Sequence, residues 1–163
     1  MKGQSRLGIS ILEVLIVVAV LGVVFGIGFQ ALPRDRYLVN QAVERFERDL
    51  QRSRFNAISY NTEVTFEIVS DGGAATGYRA VPDPAAVNVR RAGFAVDLDA
   101  AGLAGVEIVE TGTCNGPAGE GEWVFDPRGV GRAGGVSPLT FRHARTGFAV
   151  PLCVNAYGRV ERQ

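Results

Sequence analysis

Residues 8–29 read GISILEVLIVVAVLGVVFGIGF, and this stretch decides how the chain is organised. It is apolar apart from Glu13, and a helix from Ile9 to Phe29 is long enough to span a hydrocarbon core of about 30 Å at roughly 1.5 Å per residue. Lys2 and Arg6 precede it, so the N-terminus is expected on the cytoplasmic side and the rest of the chain outside. No small-residue cleavage site follows the stretch, so we expect the helix to be retained.

Glu13 is the feature of this stretch that calls for an explanation. A carboxylate in an apolar helix costs about 2.5–3.5 kcal/mol at the centre of a membrane, and it therefore needs a partner. Cleavage after Gly8 would create an α-amino group on Ile9, four residues before Glu13, and these charges could pair between neighbouring subunits. The alternative is a plain single-pass membrane anchor in which the Glu13 side chain reaches the lipid headgroups.

The remainder of the chain predicts an α+β fold. Apolar residues return at helical spacing after Pro33, which indicates that residues 31–61 form an amphipathic second half of a long N-terminal helix. Residues 62–163 contain frequent turn sequences and are expected to form an antiparallel β-rich domain on which the helix packs. The predicted strands are Val64–Val69, Tyr78–Val81, Phe94–Leu98, Val106–Val109, Trp123–Phe125, Leu139–Phe141 and Phe148–Val154.

Charge is balanced over the whole chain but not along it. The 17 basic residues equal the 17 acidic ones, which gives no bulk attraction to nucleic acid. Residues 62–123 carry three arginines against ten acidic residues, whereas residues 124–163 carry six arginines against two. These six could form a phosphate-binding patch only if the fold brings them together, and an ordinary exposed surface is the alternative. They are Arg128, Arg132, Arg142, Arg145, Arg159 and Arg162.

The two cysteines, Cys114 and Cys153, follow the apolar segment. In an exported domain they are expected to form a disulfide, whereas in a cytosolic protein they would be small buried thiols.

No catalytic set is evident in the sequence. The single histidine, His143, is flanked by arginines and is expected on the solvated surface. The serines lack the context of a nucleophile elbow, and the cysteines are not arranged as metal ligands. We therefore expect a protein that is not an enzyme and that has no cofactor or metal.

The segment Gly8–Leu15 resembles the prepilin-type signal of type IV pilins and type II secretion pseudopilins, with Ile9 where phenylalanine is usual. The resemblance implies that residues 1–8 are a leader, that a prepilin peptidase cuts between Gly8 and Ile9, and that Ile9 is N-methylated. It also implies that Glu13 contacts the N-terminus of a neighbouring subunit during assembly. The expected partners are the peptidase and methyltransferase, other pilin subunits and an inner-membrane assembly platform.

The rest of the chain is similar to minor pseudopilins of the GspH/FimT type, in its second helix and in the segments Trp123–Gly129 and Val154–Val160. This likeness implies a minor subunit of a type IV pilus or a type II secretion pseudopilus, with its C-terminal domain exported. Some FimT-type proteins hold DNA through a Gly-Arg-x-Arg motif during transformation. Arg159 and Arg162 are the matching candidates here, although Glu161 occupies the second arginine position.

Overall fold

The computed structural model describes residues 11–30, 34–70, 74–85, 92–116, 121–132 and 135–163, without the side chains of residues 24–30. The chain divides into two compact units, residues 1–34 and residues 35–163. The predicted processing residues Gly8 and Ile9 lie outside the described residues, so cleavage and methylation remain predictions.

Unit 1 contains helix α1, which runs from Ile11 to Gln30 and carries Glu13 in its first turn. The apolar sequence forms a helix as expected. Among the residues that the structure describes, no helix is both long and apolar enough to cross a membrane. The membrane span expected at residues 9–30 is therefore not confirmed.

Helix α2, Arg34–Ser59, belongs to unit 2 except for its first residue, and it ends close to the predicted residue Tyr60. Asn61 terminates it with a left-handed backbone, φ +48°. The Asn61 amide donates to the Ile58 carbonyl at 3.3 Å, and the Thr62 amide donates to the Ala57 carbonyl at 3.1 Å. This hydrogen-bond pair is a Schellman motif, in which asparagine is one of the few non-glycine residues tolerated at the left-handed position.

Two antiparallel sheets of four strands follow α2. The strands are β1 Val64–Val69, β2 Gly77–Pro82, β3 Phe94–Asp97, β4 Val106–Val109, β5 Glu122–Phe125, β6 Val136–His143, β7 Ala149–Asn155 and β8 Val160–Arg162. The first sheet has the order β3-β2-β1-β5 and the second the order β4-β6-β7-β8. All seven predicted strands are present, with ends that differ by up to three residues, whereas β8 was not predicted as a separate strand.

The core of unit 2 is centred on Phe46 of α2. Its ring meets Phe66, Tyr78 and Trp123 of the first sheet at centroid distances of 5.5, 5.4 and 6.1 Å. It also meets Phe141 of the second sheet at 5.3 Å. Because one side chain contacts both sheets edge-on, α2 joins them into one core, as the predicted packing of a helix on a β-rich domain requires.

Candidate interaction surfaces

The first candidate surface is α1 itself. Every described side chain from residue 11 to residue 23 is exposed, and apolar residues occupy all faces of the helix. Glu13 is the only charged residue among them. Exposed apolar surface of this extent is typical of a segment that is buried against a partner or a membrane. The large apolar side chains are Ile11, Leu12, Val14, Leu15, Ile16, Val17, Val18, Val20, Leu21 and Val23.

The second feature is the covalent link between Cys114 and Cys153, which are joined by a disulfide with a Cα–Cα distance of 5.8 Å. It closes a loop across 39 positions, and a loop of this length stabilises the fold by about 4 kcal/mol through restriction of the unfolded chain. Gln163 covers the bond by donating from Nε2 to the Cys153 sulfur at 2.8 Å and to the Thr113 carbonyl at 3.1 Å. These two hydrogen bonds hold Gln163 against the disulfide.

A turn built on Asp126 follows β5. Asp126 is buried, and its Oδ1 accepts hydrogen bonds from the amides of Arg128 and Val130, both at 2.9 Å. Its Oδ2 accepts from the Arg128 guanidinium at 3.0 Å. The Val130 amide, with further help from Arg128, holds the pKa of this carboxyl below its usual value. The sequence singled out this segment only by its similarity to GspH/FimT-type proteins. It did not identify the carboxylate that organises the turn.

A second turn, at Gly158, lies beside the Asp126 turn and belongs to the C-terminal segment 154–160. Gly158 has φ +74°, and a Cβ there would lie 2.9 Å from the Phe125 ring. Gln51 of α2 donates from Nε2 to the Gly158 carbonyl at 3.1 Å. Gly131 packs so closely on the Ala156 carbonyl that any side chain would collide with it. The two segments singled out by resemblance, 123–129 and 154–160, therefore lie together against α2.

The six C-terminal arginines do not form a free basic patch. Arg159 lies 3.4 Å from Glu161, and Arg162 lies 3.5 Å from Glu47 of α2. Each of the other four also has a carboxylate partner, so the positive charge of this region is locally compensated. The other pairs are Arg128–Asp126 at 3.0 Å, Arg132–Glu63 at 3.2 Å, Arg142–Glu107 at 2.9 Å and Arg145–Asp35 at 2.9 Å.

The expectation of a solvated His143 is wrong. The side chain is buried, its Nε2 lies 3.6 Å from Asp35 Oδ1, and its Nδ1 accepts from the Arg145 amide at 3.3 Å. Asp35 also accepts two hydrogen bonds from Arg145. Side chains alternate between the two faces of the eight-residue strand β6, and His143 is on its buried face. His143 pairs with Val106 of β4, and its imidazole lies next to Gly105.

One face of α2 is both basic and apolar, and it was not recognised from the sequence. The pair Arg45–Asp49 does form, at 3.8 Å. Arg48, Arg52 and Arg54, by contrast, have no carboxylate partner within the described residues. They line a shallow groove together with Gln51 and with two exposed apolar residues, Phe55 and Ile58.

The comparisons with known proteins agree on one family. A family model described as "Type II transport protein GspH" matches residues 42–158. The chain is 32% identical over 75 residues to the pilin-like protein PilA1 of Thermus thermophilus, and the alignment covers 46% of this chain and 47% of that protein. The chain thus spans about half the length of this curated relative, and no solved structure matches it. Because the family match covers most of unit 2, the chain belongs to the GspH family of type II transport proteins.

Proposed function

We propose that this protein is a non-catalytic minor pilin or pseudopilin, a structural subunit of a type IV pilus or a type II secretion pseudopilus. The observation that carries the proposal is α1, an exposed apolar helix with a single carboxylate, Glu13, in its first turn. Such a helix needs a partner along its whole length, and packing against the same helix of other subunits supplies one. The family membership of unit 2 supports the same function.

Assembly begins, in this proposal, with removal of residues 1–8 by a prepilin peptidase and N-methylation of Ile9. Before that step residues 9–30 lie in the cytoplasmic membrane, with the N-terminus inside and unit 2 outside. The sequence supports this placement because only one charge interrupts the apolar run. The assembly platform then transfers the helix from lipid into the filament core.

Mass spectrometry of the mature N-terminus tests the processing step. We expect the purified protein to begin at Ile9 and to carry one additional methyl group. Replacement of Gly8 by a bulky residue should leave the leader attached. A wild-type protein that retains Met1 would instead identify a plain membrane-anchored protein and refute the proposal.

Glu13 has the central role in assembly, because its carboxylate can neutralise the terminal amine of a neighbouring Ile9 inside an apolar bundle. Glu13→Gln should be processed normally yet fail to enter filaments, measured by immunoblotting of sheared filament fractions. Glu44→Gln is the matched control, since Glu44 is an exposed glutamate on α2. Normal incorporation of the Glu13→Gln variant would exclude the charge pairing.

A further inference from the structure

Unit 2 has a basic end, which we define as Arg48, Arg52, Arg54, Phe55 and Ile58. Phe55 is 68% exposed and Ile58 is 47% exposed, although both are large and apolar. The guanidinium of Arg52 lies over the Phe94 ring at 4.9 Å, and the Nε of Arg48 donates to the Glu44 carbonyl at 3.1 Å. These side chains are therefore held in place while their charges lack carboxylate partners among the described residues.

Unit 2 also has an acidic end, formed by Asp97, Asp99, Glu110 and Glu122. All four are exposed, and none has an arginine partner in the part of the chain that the structure describes. Glu110 reaches Gly121, the residue before Glu122, so closely that a Cβ at position 121 would collide with its carboxylate. Val69, the last residue of β1, adds an apolar side chain that is 38% exposed.

The strand register places the basic end and the acidic end at opposite ends of the strands of the first sheet. Val64 pairs with Phe125, after which the chain turns to Gly129, and Gly129 lies under Ile58 and Arg54 of the basic end. At the other end of the strands Val69 pairs with Gly77, which in turn pairs with Asp97 of the acidic end. The five residue steps between Val64 and Val69 correspond to roughly 16 Å along the strands.

We propose that the basic end of one subunit docks on the acidic end of a second copy of this chain. Three guanidinium groups meet four carboxylates, and the exposed Phe55 and Ile58 cover the apolar side chain of Val69. Because the two complementary surfaces lie apart on one subunit, the contact is head-to-tail and leaves one surface free at each end. This inference rests on the proposed function, since it names the neighbour that a filament subunit contacts outside the α1 core.

Photo-crosslinking in the full-length protein tests the contact. Phe55 is replaced by p-benzoylphenylalanine, which keeps an aromatic ring at an exposed position, and cells are irradiated before filament fractions are collected. We expect a covalent dimer of this chain on denaturing gels. After reduction and tryptic digestion, the crosslinked partner should be peptide 55–79, which contains Val69, or peptide 92–128, which contains all four acidic residues.

Charge reversal supplies the specificity test in the same background. Arg52→Glu with Arg54→Glu should lower the dimer yield by roughly tenfold or more, because like charges would face each other. Asp97→Arg with Glu122→Arg should do the same, and the combination of all four changes should restore the dimer. Arg159→Glu with Arg162→Glu is the control, since it changes the net charge equally at residues outside the basic end and should leave the yield unchanged.

The outcomes separate this inference from the proposed function. Adducts only with another protein or with nucleic acid, absence of any adduct, or failure of the four-change variant to recover would overturn the head-to-tail contact. In each of these cases a correctly cleaved N-terminus and normal filament incorporation would leave the proposed function intact. Retention of the leader would refute the proposed function independently of the crosslinks.

Discussion

At the scale of single residues, Asp126 couples the stability of unit 2 to pH. Its folded-state pKa is depressed below the ordinary value of 3.8, mainly by the Val130 amide and then by Arg128. The ionised carboxylate therefore stabilises the fold above the unfolded-state pKa, and this stabilisation is lost as the pH falls through the folded-state pKa.

We expect Asp126→Asn to be less stable than the wild type at pH 7, and this difference to shrink as the pH falls below about 4. Urea unfolding of both proteins at several pH values measures it. Asp83→Asn is the control, because the Asp83 carboxylate is exposed and accepts one local hydrogen bond, from the Ala85 amide. An Asp126→Asn deficit that is independent of pH would show that the carboxylate acts through shape and not through charge.

Gly158 allows a second residue-level test, because the chain contains a matched control. Gly158 and Gly147 have similar backbone angles, φ +74° and φ +67°, but a Cβ would collide with Phe125 only at position 158. Gly147→Ala should cost about 1–2 kcal/mol for the left-handed conformation. Gly158→Ala should cost a further 1–3 kcal/mol or so for overpacking, measured as free energy of unfolding. Equal losses would mean that the Phe125 ring moves aside without cost.

Single residues differ in how far sequence alone could assign them. Glu13 stood out because a charge in an apolar helix violates a local pattern. His143 gave a misleading signal, since its arginine neighbours suggest exposure while strand alternation turns the ring inward toward Asp35. Asp126 could be expected in a turn, but the local sequence gives no sign that its carboxylate is buried.

At the scale of elements, Phe46 holds α2 on both sheets through its contacts with four aromatic rings. Phe46→Ala should lower the free energy of unfolding by about 3–5 kcal/mol, because it leaves a cavity between the sheets. Phe55→Ala is the matched control on the same helix, and it should change stability by less than about 0.5 kcal/mol since that ring is exposed. Comparable losses in both variants would contradict the central place of Phe46.

The elements themselves were largely predictable, for local reasons. Apolar spacing and the turn sequences located α2 and seven strands, because each has its own hydrophobic pattern. Strand β8 was missed because Val160–Arg162 holds one apolar residue beside charged ones. Its strand conformation depends on pairing with Leu152–Val154 of β7, and the local sequence gives no signal for this pairing.

At the scale of the whole molecule, the local charge depends on which side chains form ion pairs in the fold. It does not follow from the net charge of each sequence segment. In the sequence, the acidic residues of segment 62–123 and the arginines of segment 124–163 suggested one negatively charged and one positively charged surface. In the structure the tail arginines are compensated by carboxylates from several elements, Asp35 and Glu47 of α2 among them. In the part of the chain that the structure describes, arginines without a carboxylate partner lie instead on α2, and three of them, Arg48, Arg52 and Arg54, belong to the basic end. Net charge per segment could not predict this, because most of these ion pairs join residues that are distant in sequence.

This arrangement predicts how the full-length protein behaves with duplex DNA. Because Arg159 and Arg162 are engaged by Glu161 and Glu47, phosphate groups would have to displace carboxylates to bind them. We expect Arg159→Ala with Arg162→Ala to leave the affinity for a labelled duplex unchanged within roughly twofold between about 50 and 200 mM salt. Fluorescence anisotropy of the detergent-solubilised protein measures this. A loss of roughly tenfold or more, with a shallower salt dependence, would instead assign the tail to DNA uptake, as its likeness to Gly-Arg-x-Arg suggests.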